Sequence, residues 1–259
     1  METFTPAAQD RGVEVIHYHG TPCGGKSDER ARFLKGRHGL VSFAHQEDMA
    51  LVADMCQSFV LDNGAFTAWR GGRTVVWADY YAWASSWCNH PGFDFALIPD
   101  VIDGSEADND SLVAEWPSHI SGVPVWHIHE SIERMIRLSQ SFKTVAIGSS
   151  GEWSSPGSNN WWERMTLVMD RICKQGVPPC KLHGLRMLNP KVFSRLPLSS
   201  ADSVNATVSA GCLKRFGIYI PPSRAQRMSV IADRIETFNS APVWDNSVVS
   251  SNNYEFDEF

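Results

Sequence analysis

One pattern recurs along the whole chain. Eight short apolar runs, at 13–18, 40–44, 59–61, 93–98, 123–128, 144–147, 182–187 and 196–201, mostly close on a polar or glycine residue before a longer stretch begins. Several are near-continuous in apolar residues, which fits strands covered on both faces. The stretches between them carry helical patterns, clearest at 79–88, 131–142, 161–175 and 191–196. In the second of these, Ile132, Met135, Ile136 and Leu138 suit one helical face and Ser131 stands where a cap belongs. Short strands alternating with helices imply a parallel sheet, either open and doubly wound or closed. Polar residues at the strand ends favour closure, because in a barrel those ends converge on one rim. The expected fold is therefore α/β, a (β/α)8 TIM-type barrel in a single domain. It would occupy residues 1–240, and 259 residues is the length of one such barrel. From Ala241 the composition turns polar and then acidic, ending in YEFDEF. This tail, 241–259, is expected to be loosely held or to dock on a protein partner.

Composition narrows the function classes. With 43% hydrophobic and 20% charged residues, the chain reads as a soluble globular protein. No apolar run approaches the roughly 18 residues of a membrane span, so no membrane partner is expected. The first residues, METFTPAAQDRGVEV, lack an apolar signal core, which makes cytoplasm the expected location, the host's if the protein is phage-encoded. Six scattered cysteines (Cys23, Cys56, Cys88, Cys173, Cys180 and Cys212) read as reduced packing residues. A net charge of −6 means that any nucleic-acid contact must come from a local basic patch.

The strand ends present the groups that carry chemistry: His17 and His19, His45, Asp62, Asp100 with Asp103, His127 and His129, Gly148–Gly151, His183 with Arg186, and Asp202. Residues two apart on a strand share a face, so each histidine pair can point one way. Asp62 enters an Asp-Asn-Gly turn signal, where it is either a turn-forming carboxylate or a catalytic one. Asp100 and Asp202 carry the same two readings. Three carboxylates at three strand ends strengthen the catalytic one. The GSSG segment is either a bare turn or a place where backbone N–H groups approach a flat ligand, since glycine has no Cβ in the way.

These motifs stand in a known order. LDNGAF resembles the Asp-Ser-Gly-Gly-Phe segment of the tRNA-guanine transglycosylases, and IPDV their next base-reading aspartate. VAIGSSGEW resembles their glycine-rich segment, LHGLRML their His-Tyr-Leu-Met-Gly strand, and SADSVNA the strand ending in their nucleophilic aspartate. Length and the segments HYHGTP, LDNGAF, PVWHIH and LPLSSADS resemble most the small DNA-modifying branch, the DpdA type of phages and bacterial modification clusters. One feature departs from the tRNA enzymes. Their zinc site places three cysteines and a histidine after the nucleophile; here only Cys212 follows Asp202, and no histidine does. The expected barrel therefore lacks their zinc subdomain.

The resemblance implies exchange of guanine in DNA for a free 7-deazaguanine base such as preQ0, with no cofactor and no metal. Asp202 would be the nucleophile and Asp62 the carboxylate that handles protons. Asp100, Gly148, Ser149, Phe66 and His129 would bind the base. Candidate phosphate contacts are Arg70, Arg73, Lys214 and Arg215, with Lys35, Arg37, Arg224 and Arg227 behind them. Three alternatives stand beside this reading. One is the same exchange on tRNA. Another is a metal-dependent, amidohydrolase-type barrel using His17, His19, His183 and Asp202. The third is a non-catalytic nucleic-acid or partner-binding barrel.

Overall fold

The computed structural model describes residues 14–247. Among these residues nine strands run parallel in one sheet: β1 (Ile16–Gly20), β2 (His38–Ser42), β3 (Ser58–Asp62), β4 (Phe93–Leu97), β5 (Gly122–Val123), β6 (Val125–His127), β7 (Thr144–Gly148), β8 (Lys181–Gly184) and β9 (Ser200–Ser203). Their order is β5-β4-β3-β2-β1-β9-β8-β7-β6. The two terminal strands of that order are halves of one stave, split at Pro124, which has no N–H for the ladder. Val123 accepts a hydrogen bond from Ile98 of the β4 side at 2.9 Å, and Pro124 accepts one from Ala146 of β7 at 2.9 Å. The sheet thereby closes on itself, and the expected barrel is found.

Each apolar run overlaps its stave. The last strand starts later than its run, because Leu196 and Leu198 pack in the outer layer rather than in the sheet. Among the described residues ten α-helices surround the staves: α1 (Ser27–Leu34), α2 (Met49–Met55), α3 (Ala65–Arg70), α4 (Trp77–Trp87), α5 (Glu106–Glu115), α6 (Ile132–Ser141), α7 (Asn159–Ile172), α8 (Pro190–Phe193), α9 (Asn205–Ser209) and α10 (Arg224–Glu236). The sequence pattern locates α4, α6, α7 and α8. In α7 the buried set Trp161, Trp162, Met165, Val168, Met169 and Ile172 follows helical spacing.

Strand alternation sorts side chains into two cores. Tyr18, Leu40, Val60, Phe95, Leu97, Val123, Val125 and Ala146 fill the barrel interior. Phe59, Leu61, Val145 and Ile147 face the helices in the larger outer core. On α6, Arg134 is wholly buried. Its guanidinium donates to Glu130 at 2.6 Å, to the Val125 carbonyl at 2.9 Å and to Asp110 at 2.8 Å. Glu130, also buried, accepts from Asn109 at 2.9 Å and from the His127 N–H at 2.8 Å. This ionic knot fixes the end of β6.

The segment expected to be loose from Ala241 starts out packed. Trp244 is buried, its indole N–H donates to Asp170 of α7 at 2.7 Å, and its backbone N–H donates to Gly176 at 2.7 Å. The acidic ending YEFDEF lies outside the described residues. Among the described residues no helix is long and apolar enough to cross a membrane.

Candidate active site

The C-terminal ends of the strands enclose a cavity of about 310 Å³, at the small end of ligand pockets. Asp62 from β3, Asp100 beyond β4, His127 from β6, Gly148 from β7, Arg186 beyond β8 and Asp202 from β9 all line it. Phe66 and Ser149 do so as well. The structure thus brings together both expected catalytic carboxylates and most of the expected base-binding residues.

Local geometry explains each position. After Asp62 the chain turns through Gly64, whose φ of +77° is open to glycine at no steric cost. The Gly64 N–H donates to Asp62 at 3.2 Å, so this carboxylate also holds its own turn. Asn63 ties that turn to β4: its amide donates to the Ile98 carbonyl at 2.9 Å and to Asp100 at 2.7 Å. The other oxygen of Asp100 is 2.9 Å from His127 Nε2. Asp100 is therefore gripped on both sides. Gly148 leaves room for that grip, since a Cβ there would stand 3.0 Å from His127 Nδ1.

Asp202 accepts from the Arg186 backbone N–H at 3.1 Å and lies 3.4 Å from Nε2 of the buried His183. The His183 Nδ1 is held by Ser200 Oγ at 2.8 Å. Arg186 itself has φ of +58°, an uncommon conformation for a residue with a side chain. Its guanidinium donates to the Ser149 carbonyl and lies over the Phe66 ring at 4.2 Å. The guanidinium thus covers that face of the Phe66 ring. Burial depresses the Arg186 pKa, Asp202 opposes that, and the nearby charge of Arg70 adds to it.

Loss of water around Asp62 pushes its pKa up to about 6, well above the usual carboxylate range. A hydrogen bond with Ser42 opposes the rise, and the charges of Asp202 and Asp100 reinforce it. One carboxyl in the cavity is thus poised to exchange a proton near neutrality.

Several expectations need correction. His129 does not line the cavity; it bonds Ser150 Oγ at 2.7 Å and stacks on His127 at 5.6 Å. The histidine that meets Asp100 is His127. His17 and His19 point out of the barrel. His17 Nε2 meets the Phe238 carbonyl at 3.1 Å, and His19 Nε2 meets Glu236 at 2.8 Å. The ligand set of the metal-hydrolase reading therefore does not converge on Asp202, and no group of three or more potential ligands able to hold a metal ion occurs among the described residues. Arg37 is paired with Asp233 and Glu236, while Arg224 and Arg227 donate to backbone carbonyls. None of these three presents a free guanidinium to phosphate. Arg70 and Arg73 are exposed at and just beyond the end of α3. Lys214 and Arg215 sit in the single turn Leu213–Phe216, outside the cavity lining. Asn63 carries no signal of its own in the sequence beyond the turn, and Arg186 reads there only as a strand-end cation.

No protein-family model and no curated protein matches the chain. Solved structures do. A mutant tryptophan synthase alpha-subunit from Pyrococcus furiosus superposes with a TM-score of 0.51 at 11% identity, over 88% of this chain and 99% of that one. The fold is that of a TIM barrel. A protein described as a fructose-1,6-biphosphate aldolase from Coccidioides immitis has a TM-score of 0.48 at 11% identity, over 87% of this chain and 91% of that one. At 11% identity the tryptophan synthase likeness speaks for architecture alone.

Proposed function

We propose that this barrel is a base-exchange enzyme that replaces guanine in DNA by a 7-deazaguanine base. The observation that carries the reading is the convergence of Asp62, Asp100 and Asp202, from three separate staves, on one cavity. Asp202 is the nucleophile. Its oxygen bonds C1′ as the C1′–N9 bond breaks, and the bonding pair leaves with guanine. Asp62 delivers a proton to the departing base. The incoming base gives its N9 proton back to Asp62 and displaces Asp202 from C1′. Two displacements retain configuration, as in retaining glycosidases. Asp100, fixed by Asn63 and His127, accepts from the amino edge of the base. DNA rather than tRNA is favoured by the resemblance of the strand-end motifs and by Cys212 standing alone, with no histidine, in this sequence after Asp202.

The test is exchange itself. The protein is incubated with preQ0 and guanine-containing DNA or tRNA, and the nucleosides are read by mass spectrometry. The reading requires a preQ0 deoxynucleoside from DNA. Product from tRNA alone overturns the substrate, and product from neither overturns the reaction.

The Asp62 pKa sets a pH dependence. Leaving-group protonation needs the neutral carboxyl, so kcat/KM for DNA is expected to fall as pH rises through about 6. Asp62→Asn should lose that limb and about 10²–10⁴-fold in rate. A limb that persists in the variant removes Asp62 from this role. Stability follows the same sign. Between the ordinary value of 3.8 and about 6 the folded protein binds more protons at Asp62 than the unfolded chain. This site's contribution therefore declines as pH rises across that window.

A further inference from the structure

In a protein of net charge −6, the stretch from Ser203 to Ala232 contains no aspartate or glutamate but holds Lys214, Arg215, Arg224 and Arg227. It leaves the cavity wall at Val204 and returns to the rim at Arg224, which lies against Gly24 in the β1–α1 loop. Between these anchors it exposes apolar side chains. Val208 is 67% exposed, Leu213 48%, Ile218 fully, Tyr219 74% and Ile220 41%. Gly217, at φ of +61°, sends the chain outward. Arg227 pins the loop's base through the Ala210 carbonyl at 2.9 Å, the Pro221 carbonyl at 2.9 Å and the Pro222 carbonyl at 3.1 Å. A pinned loop with an apolar tip, tethered at Val204 to the cavity wall and at Arg224 to the β1–α1 loop, is a surface awaiting a partner.

The partner's chemistry follows from the charge. An acid-free segment with two outward cations, the exposed Lys214 and the half-exposed Arg215, complements a polyanion. The apolar tip complements flat, weakly polar faces. Nucleic acid joins these properties in one molecule. A guanine inside a duplex must be extruded before its C1′ can be attacked, and extrusion leaves unstacked neighbours. We propose that residues 213–220 are a duplex wedge: Ile218 and Tyr219 cover the bases exposed when the target nucleotide swings into the cavity, and Lys214 and Arg215 neutralise the adjoining phosphates. The wedge rests on the base-exchange reading and adds to it the preference for double-stranded DNA.

The test compares wild type with Ile218→Ser/Tyr219→Ser on one guanine-containing sequence, as duplex and as single strand. The ratio of duplex to single-strand exchange is expected to fall about tenfold or more, the scale of one lost stacking contact. A 2-aminopurine beside the target guanine should brighten in duplex bound to wild type and stay quenched with the variant. Equal loss on both substrates, or an unchanged ratio, overturns the wedge. If wild type exchanges neither substrate, the base-exchange reading fails by itself. The wedge then stands or falls on the 2-aminopurine signal and on duplex binding by anisotropy. A wild-type dimer that the variant splits, with duplex binding unchanged, makes the loop an interface between copies and also overturns it.

Discussion

Asp202→Asn is expected to lower base exchange by about 10⁴-fold or more, the usual scale for losing a covalent nucleophile. The fold should survive. An asparagine keeps the shape of the side chain and an oxygen to accept from the Arg186 N–H, now at 3.1 Å. A second effect reads the electrostatics directly. The negative charge of Asp202 helps to raise the Asp62 pKa, so the neutral variant should return Asp62 toward the ordinary carboxylate range. Carbon-detected NMR titration of Asp62 in both proteins checks this. A variant with near wild-type exchange would remove Asp202 from the chemistry.

Arg134→Met is expected to cost about 3–5 kcal/mol of stability, the range for breaking one partner out of a buried ion pair. Arg134 and Glu130 are both buried, and their contact is 2.6 Å long. Without the guanidinium, the Glu130 carboxylate is left facing only Asn109 and the His127 N–H. Adding Glu130→Gln to Arg134→Met should recover part of the loss, because removing both charges leaves none uncompensated. Urea unfolding measures both, with a shifted midpoint and an unchanged slope. A loss below about 1 kcal/mol contradicts the role given to this knot. Since Glu130 holds the backbone of His127, and His127 holds Asp100, the single variant should also weaken base binding.

Much of this architecture is legible in the sequence because barrel staves are buried on both faces and read as bare apolar runs. The carboxylates are legible for the complementary reason: they are the polar residues on which those runs stop. Parity is not legible. IHYHG reads equally well with its histidines inside or outside. Packing decides it, placing Tyr18 in the barrel with its hydroxyl on Asp94 at 2.6 Å and sending His17 and His19 to the helices. Spacing also cannot separate His127 from His129. The Glu130 N–H turns back onto the His127 carbonyl at 2.8 Å, so the strand ends there and His129 leaves its register. Arg186 escapes for a different reason, since nothing local announces its positive φ or its place over Phe66. The basic residues escape because their partners lie far along the chain: Arg37 finds Asp233 and Glu236 only once α10 has packed against α1.

Base exchange through a covalent intermediate requires a glycosyl-enzyme that can be trapped. The protein is mixed with guanine-containing DNA, denatured without added base, and examined by intact mass and peptide mapping. Base exchange through Asp202 predicts a DNA adduct on the Asp202 peptide that disappears when preQ0 is added and never forms in Asp202→Asn. An adduct mapped to another residue, or one that persists in the variant, contradicts the account.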